Sequence, residues 1–154
     1  MIKFLQYAAL IVPWFSLGFT TSANRKKYMP VTIFGALIMT VVFQIAHQYD
    51  WWVIKKSIVP WGYMSDVTFI YGLFAVGTFW IFRFTSDKFP MFIILNAVMD
   101  SLMSFVILPL LGTLGIAHYK NISPWQYFLV IFGISFLLWI YHKWQEKIFK
   151  SENS

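Results

Sequence analysis

The chain has 154 residues, twelve Lys and Arg against six acids, no cysteine, and 59% hydrophobic residues, above the roughly 45–50% apolar usage of soluble domains. The absence of cysteine excludes a disulfide scaffold and thiolate chemistry, and disorder and a nucleic-acid partner are excluded because the surplus of +6 falls in short clusters between long apolar runs. The expected architecture is a single all-α membrane domain over residues 1–154, with the lipid bilayer as its principal partner and no cofactor.

Crossing the hydrocarbon core takes about 20 mostly apolar residues, and five stretches qualify: about 4–22, 29–49, 66–84, 89–112 and 124–142. In the first, Pro13 removes a backbone donor and frees the carbonyl of Ala9, with Ser16 one turn away. Lys3 before this run and Thr21-Ser22-Ala23 after it also fit a cleaved signal peptide. The basic triplet Arg25-Lys26-Lys27 opposes cleavage, since it would have to be translocated. Pro30 suits the first turn of the second span, which carries Ala36, Thr40, Gln44 and His47 on one face.

Residues 50–65 read DWWVIKKSIVPWGYMS and are expected at the external interface, as a short surface helix or an irregular lid. Asp66 and Asp87 suit the starts of the third and fourth spans, and Phe84-Thr85-Ser86-Asp87-Lys88 is short enough to make those spans an antiparallel hairpin. The fourth span places Asn96, Asp100 and Ser104 within an arc of about 80°, one polar stripe on an otherwise apolar helix. Ala97 and Ser101 add a small-residue spacing, and Pro109 frees the carbonyl of Phe105. Ser123-Pro124-Trp125-Gln126 carries a capping Ser, a Pro at the first helical position and a Gln three residues after the cap, so the fifth span starts there.

With five alternating spans, Arg25, Lys26, Lys27, Arg83, Lys88, Lys143, Lys147 and Lys150 share one side, and Lys3, Lys55, Lys56 and Lys120 the other. The positive-inside preference puts the amino terminus outside and the carboxyl terminus inside, with the tail after Tyr141 as a cytoplasmic anchor. Trp51, Trp52, Trp61, Trp125 and Tyr127 then fall on the outer side and Trp139, Tyr141 and Trp144 on the inner. That is the place of interfacial belts, a better reading than an aromatic cage for a quaternary ammonium.

Asp100 is the most informative residue, because a carboxylate deep in the bilayer must be paired, hydrated or protonated. Matched by depth at about 1.5 Å per residue, Thr40 and Gln44 come within reach of it and His47 lies above, giving a polar pocket between the second and fourth spans. In the functional reading Asp100 is a proton or cation site with His47 near its mouth. In the structural one the carboxyl is hydrogen-bonded to Gln44, Asn96 and Ser104 and fixes helix register. His118 and His142 read as loop and terminus residues. His47, Asp50 and His118 lack a familiar metal spacing, and no nucleophile motif, phosphate loop or catalytic carboxylate pair appears, so no catalytic or metal residue is assigned.

The basic triplet running into Tyr28-Met29-Pro30-Val31, the segment His47-x-x-Asp50-Trp51-Trp52, and the run from Gly72 to Gly77-Thr78-Phe79-Trp80 resemble small uncharacterised multi-span membrane proteins of spore-forming Gram-positive bacteria. The resemblance covers most of the chain and implies a five-helix fold in a bacterial cytoplasmic membrane; it implies no activity. Pro60-Trp61 and Pro124-Trp125 reverse the Trp-Pro order of the tryptophan-rich sensory proteins, which sets that comparison aside. The expected function is a small transport or ion-conducting component, homo-oligomeric because five short helices enclose little pathway alone. The alternative is an accessory or scaffold subunit that binds a larger membrane protein through Thr68, Gly72 and Ala75.

Overall fold

A computed structural model describes residues 1–85 and 88–152. Five helices account for most of it. Helix α1, Ile2–Phe15, tightens after Pro13 into the 3-10 turn Ser16–Phe19. Helix α2 is Ser22–Gln48, and α3, Phe69–Thr85, opens with the π-helical segment Phe69–Phe74. Helix α4, Phe89–Thr113, has a π-helical turn at Met103–Ile107, and α5 is Pro124–Glu152. Four of them, α1 with its last turn, α2, α4 and α5, are long and apolar enough to cross a membrane, and α3 is a shorter apolar helix.

Several boundaries differ from the sequence expectation for local reasons. The Thr21 hydroxyl accepts from the Asn24 amide at 3.2 Å, and Arg25 donates to the carbonyls of Leu17 and Thr20 at 3.0 and 2.9 Å. Helix α2 therefore begins at Ser22, the basic triplet lies in its first turns, and Pro30 sits inside it. At the start of α5 the two-way cap forms as read: the Ser123 amide donates to the Gln126 side chain at 3.0 Å and the Gln126 amide to the Ser123 hydroxyl at 3.3 Å. Beyond Tyr141 the chain stays helical rather than becoming a separate tail. Ser86 and Asp87, the middle of the expected hairpin turn, lie outside the described residues.

The expectation of an all-α chain is corrected at one end. Trp52–Ile54 (β1) pairs antiparallel with Ala117–Tyr119 (β2), in the register Trp52↔Tyr119, Val53↔His118, Ile54↔Ala117. Neither a surface helix nor an irregular lid forms at 52–54, because the β-branched and aromatic run Trp52-Val53-Ile54 finds an edge to pair with in the other loop. Asp50, at φ 52, turns the chain out of α2, and Lys120 and Asn121 donate amides to the carbonyls of Trp51 and Asp50.

Helices α2, α3, α4 and α5 form a ring in which each packs on the next and α5 closes on α2. Helix α1 lies outside the ring against the π segment of α3. Gly72 permits that approach: a Cβ there would lie 2.7 Å from both the Ala9 carbonyl oxygen and the Leu10 Cα. The π segment and Pro13 supply polar groups for the same seam, where the Trp14 indole donates to the Tyr71 carbonyl at 2.7 Å and the Trp80 indole to the Ser16 hydroxyl at 2.8 Å. Buried Gln6 reaches the Lys56 carbonyl at 2.9 Å and ties α1 to the sheet end of the bundle. The core is aromatic and aliphatic, with Val31, Met39, Ile70, Phe79, Phe82 and Phe92 essentially inaccessible. Large apolar residues such as Ile33, Leu37, Ile94 and Ile140 point outward from the helices, the inverse of a water-facing surface.

Candidate functional site

Between α3, α4 and α5 lies a cavity of about 250 Å³. Its polar residues are Thr78 from α3, Asn96 and Asp100 from α4, and Ser135 from α5, and the remaining lining is apolar or glycine. The 3.6-residue repeat of α4 brings Asn96 and Asp100 to this face together, as the sequence stripe anticipates. Asn96 is buried, donates to the Phe92 carbonyl at 2.8 Å, and accepts from the Ser135 hydroxyl at 2.9 Å. That hydroxyl also lies 3.2 Å from the Ile131 carbonyl. The Asp100 carboxylate has an oxygen, Oδ2, that is shut off from solvent and has no hydrogen-bond partner.

Helix α2 stands behind three of the lining residues: a Cβ built on Gly35 would lie 3.4, 3.5 and 3.6 Å from Leu138, Phe74 and Thr78. On the opposite side α3 and α4 pack closely through Ala75–Thr85 and Phe89–Leu102, whereas their π segments make no comparable contact with each other. Both π segments line the cavity, through Phe69, Leu73 and Phe74 on one helix and Met103 and Ile107 on the other. A π turn shifts the helix face by a fraction of a turn, and such turns recur at functional sites. In α4 the wide turn lies directly before Pro109, which has no amide to continue the regular ladder. Phe69 and Met103 also line a smaller cavity of about 40 Å³ under the sheet, so their side chains stand between it and the main cavity. That second space holds Asp66, whose Oδ1 has no hydrogen-bond partner.

The other residues expected around Asp100 lie elsewhere. Helices α2 and α4 occupy opposite corners of the ring, so the pocket expected between the second and fourth spans is instead between α3, α4 and α5. Thr40 lies 2.9 Å from the Tyr71 hydroxyl in a groove shared with Trp14 of α1, and Gln44 and His47 are exposed. The Ala9 carbonyl freed by Pro13 faces Gly72 rather than the carboxyl. Ser104 is fully buried but lies towards the sheet, where its carbonyl accepts from the Tyr119 hydroxyl at 2.7 Å. Burial pushes the Tyr119 phenol up from its ordinary range, which keeps it a donor in that bond. Thr68, Gly72 and Ala75, the expected docking face for a larger partner, are buried within the chain.

Two further expectations are corrected. His142 is completely buried, stacked on Tyr28 with centroids 5.4 Å apart and against Phe82 at 4.9 Å, and its Nε2 lies 3.2 Å from Glu146. Glu146 is also 3.4 Å from Lys27 and 3.3 Å from Lys143, so the basic end is fastened between α2 and α5. Trp52 and Tyr127 are core residues, packed on each other at 5.4 Å, whereas Trp61, Trp125 and Trp144 are exposed as an interfacial belt requires. Asp50 pairs with Lys120 at 3.7 Å, and no group of three metal-ligating residues occurs among the described residues. Ser135 and Thr78 are the site residues that sequence reasoning missed. Ser135 does carry a signal, being the one serine in the long apolar run of α5.

The arrangement presents one carboxylate beside a serine hydroxyl that it shares with the Asn96 amide, with one carboxylate oxygen unpartnered, in an apolar chamber. It is suited to accept a hydrogen bond, to exchange a proton or to neutralise a cation. Comparison with known proteins finds no matching protein-family model, no matching curated protein and no matching solved structure.

Proposed function

We propose that this chain is a multi-pass protein of the plasma membrane with five spans, amino terminus outside and carboxyl terminus inside, that serves as a small transport component with Asp100 as its proton or cation site. The single observation that carries the reading is the unpartnered Asp100 oxygen in a chamber otherwise nearly apolar. A carboxyl whose only task was to fix helix register would spend both oxygens on neighbouring donors; the Ser135 hydroxyl, which bonds Asn96, also interacts with the Asp100 carboxylate, yet Oδ2 is left without a partner.

The apolar outer faces of the helices favour placement in a bilayer. As a fifth span, α3 has seventeen residues, which reach about 26 Å at helical rise, close to the roughly 30 Å hydrocarbon core. Helix α1 belongs to the mature bundle in this reading, because its seam with α3 is built on Gly72 and two indole hydrogen bonds. Reconstitution into liposomes enclosing a pH-sensitive dye tests the assignment. The wild type is expected to dissipate an imposed pH or cation gradient faster than empty vesicles, and Asp100→Asn to lose that excess. Equal rates for the two proteins would refute it.

A further inference from the structure

We propose that the chamber between α3, α4 and α5 binds a small lipophilic ammonium carrying an aromatic group, admitted sideways from the bilayer. The proposal rests on the transport reading above and names the class of molecule that its site takes.

Charge is the first argument. Asp100 is the one acid among the residues that line the chamber, and no Lys, Arg or His lines it, although the chain as a whole carries a surplus of +6. Arg83, on the same helix as Thr78, is exposed. An ionised Asp100 therefore has no counter-charge from the lining: its one polar contact there is the neutral Ser135 hydroxyl, shared with Asn96, and Oδ2 has no partner. A cationic occupant supplies the missing charge, since buried charges persist only when paired.

The walls give the second argument. Phe69, Phe74, Phe82 and Phe92 line the space together with Met99 and Met103. Aromatic faces attract ammonium groups, and thioethers adapt to irregular apolar shapes. A bare metal ion or ammonium would exchange its hydration shell for one carboxylate and a wall of hydrocarbon, a poor trade. An ammonium carrying its own apolar groups meets both halves of the lining.

The mouth gives the third. Because α3 and α4 pack at the basic end and diverge at their π segments, the chamber opens between them, past the exposed apolar residues Leu73, Met99 and Ile107. Entry across such a rim suits a molecule already dissolved in the bilayer. The volume, about 250 Å³, lies just under the roughly 300–1,000 Å³ of small-molecule pockets, which favours a ligand with a single ring.

The test uses the whole chain in nanodiscs of zwitterionic lipid and two probes of one shape, radiolabelled benzyltrimethylammonium and its uncharged carbon isostere neopentylbenzene. The wild type is expected to bind the ammonium saturably, and neopentylbenzene at equal membrane concentration to leave that binding unchanged. Asp100→Asn is expected to weaken binding at least tenfold, Asp100→Glu to keep it within a few-fold, and Ile107→Trp at the rim to slow association. Retained affinity in Asp100→Asn, or full displacement by the neutral isostere, would overturn the proposal. Should Asp100→Asn fail to fold, the competition on the wild type decides alone. Proton flux that needs Asp100, without ammonium binding that needs it, would remove this inference and leave the transport reading standing. Absence of both would remove both.

Discussion

Replacing Gly72 by alanine tests the packing on which the placement of α1 depends. The new methyl would lie 2.7 Å from the Ala9 oxygen and 2.7 Å from the Leu10 Cα, both backbone atoms that no side-chain rotation can move. Ordinary carbon contacts lie at roughly 3.5–4.0 Å, so α1 would have to retreat by about 1 Å. That displacement stretches the Trp14 hydrogen bond to the Tyr71 carbonyl and the Trp80 bond to Ser16, now 2.7 and 2.8 Å. Overpacking of this kind costs about 1–3 kcal/mol, which for a chain of this size lowers the melting temperature by roughly 2–12 °C. Gly133 is the internal control, because nothing lies within 4 Å of a Cβ built there. Alanine at Gly133 should be neutral or stabilising by up to about 1 kcal/mol, the helix-propensity difference. Thermal unfolding in mild detergent, followed by circular dichroism, compares the two. A Gly72→Ala protein as stable as Gly133→Ala would refute the docking of α1 on α3.

Three further outcomes are expected. Ser135→Ala leaves the Asn96 side-chain oxygen without its donor and should cost about 1–3 kcal/mol, read as a lower melting temperature with helicity unchanged. Tyr119→Phe removes the bond to the Ser104 carbonyl, worth about 0.5–1.5 kcal/mol, and should speed amide hydrogen exchange at Trp52–Ile54 while leaving the core of α5 protected. Cysteines introduced into this cysteine-free chain at exposed Asn121 and Lys147 should react with an impermeant reagent on intact cells only at the first, because the two positions lie at opposite ends of α5. Labelling at Lys147 alone would invert the proposed orientation.

Where the sequence was informative, the signal was local. The cap at Ser123 and Gln126 is decided by four consecutive residues, and the Asn96–Asp100 face follows from helical period alone. What escaped was set by partners distant in the chain. Pairing Asp100 with Thr40 and Gln44 assumed that helices matched in depth are neighbours, whereas the ring places α2 and α4 at opposite corners. The strand at Trp52 needs its partner near His118, more than sixty residues away, and neither three-residue run signals a strand alone. His142 looked terminal because the hydropathy run ends there, yet the helix continues and Tyr28 and Phe82 cover the ring. The small face of Thr68, Gly72 and Ala75 reads as a docking surface for a larger partner, but in the fold these residues are buried within the same chain, with Gly72 against Ala9 and Leu10.

Two substitutions at Asp100 measure directly whether the carboxylate has a task that its hydrogen bonds do not explain. Asp100→Asn keeps size and hydrogen-bonding capacity but removes titration and charge, whereas Asp100→Leu removes all three. Each purified protein is assayed for melting temperature and for gradient dissipation per folded molecule in liposomes. The Asn variant is expected to melt close to the wild type while its activity disappears. An Asn variant destabilised as much as Leu, with activity per folded molecule intact, would contradict this expectation and make the carboxylate structural.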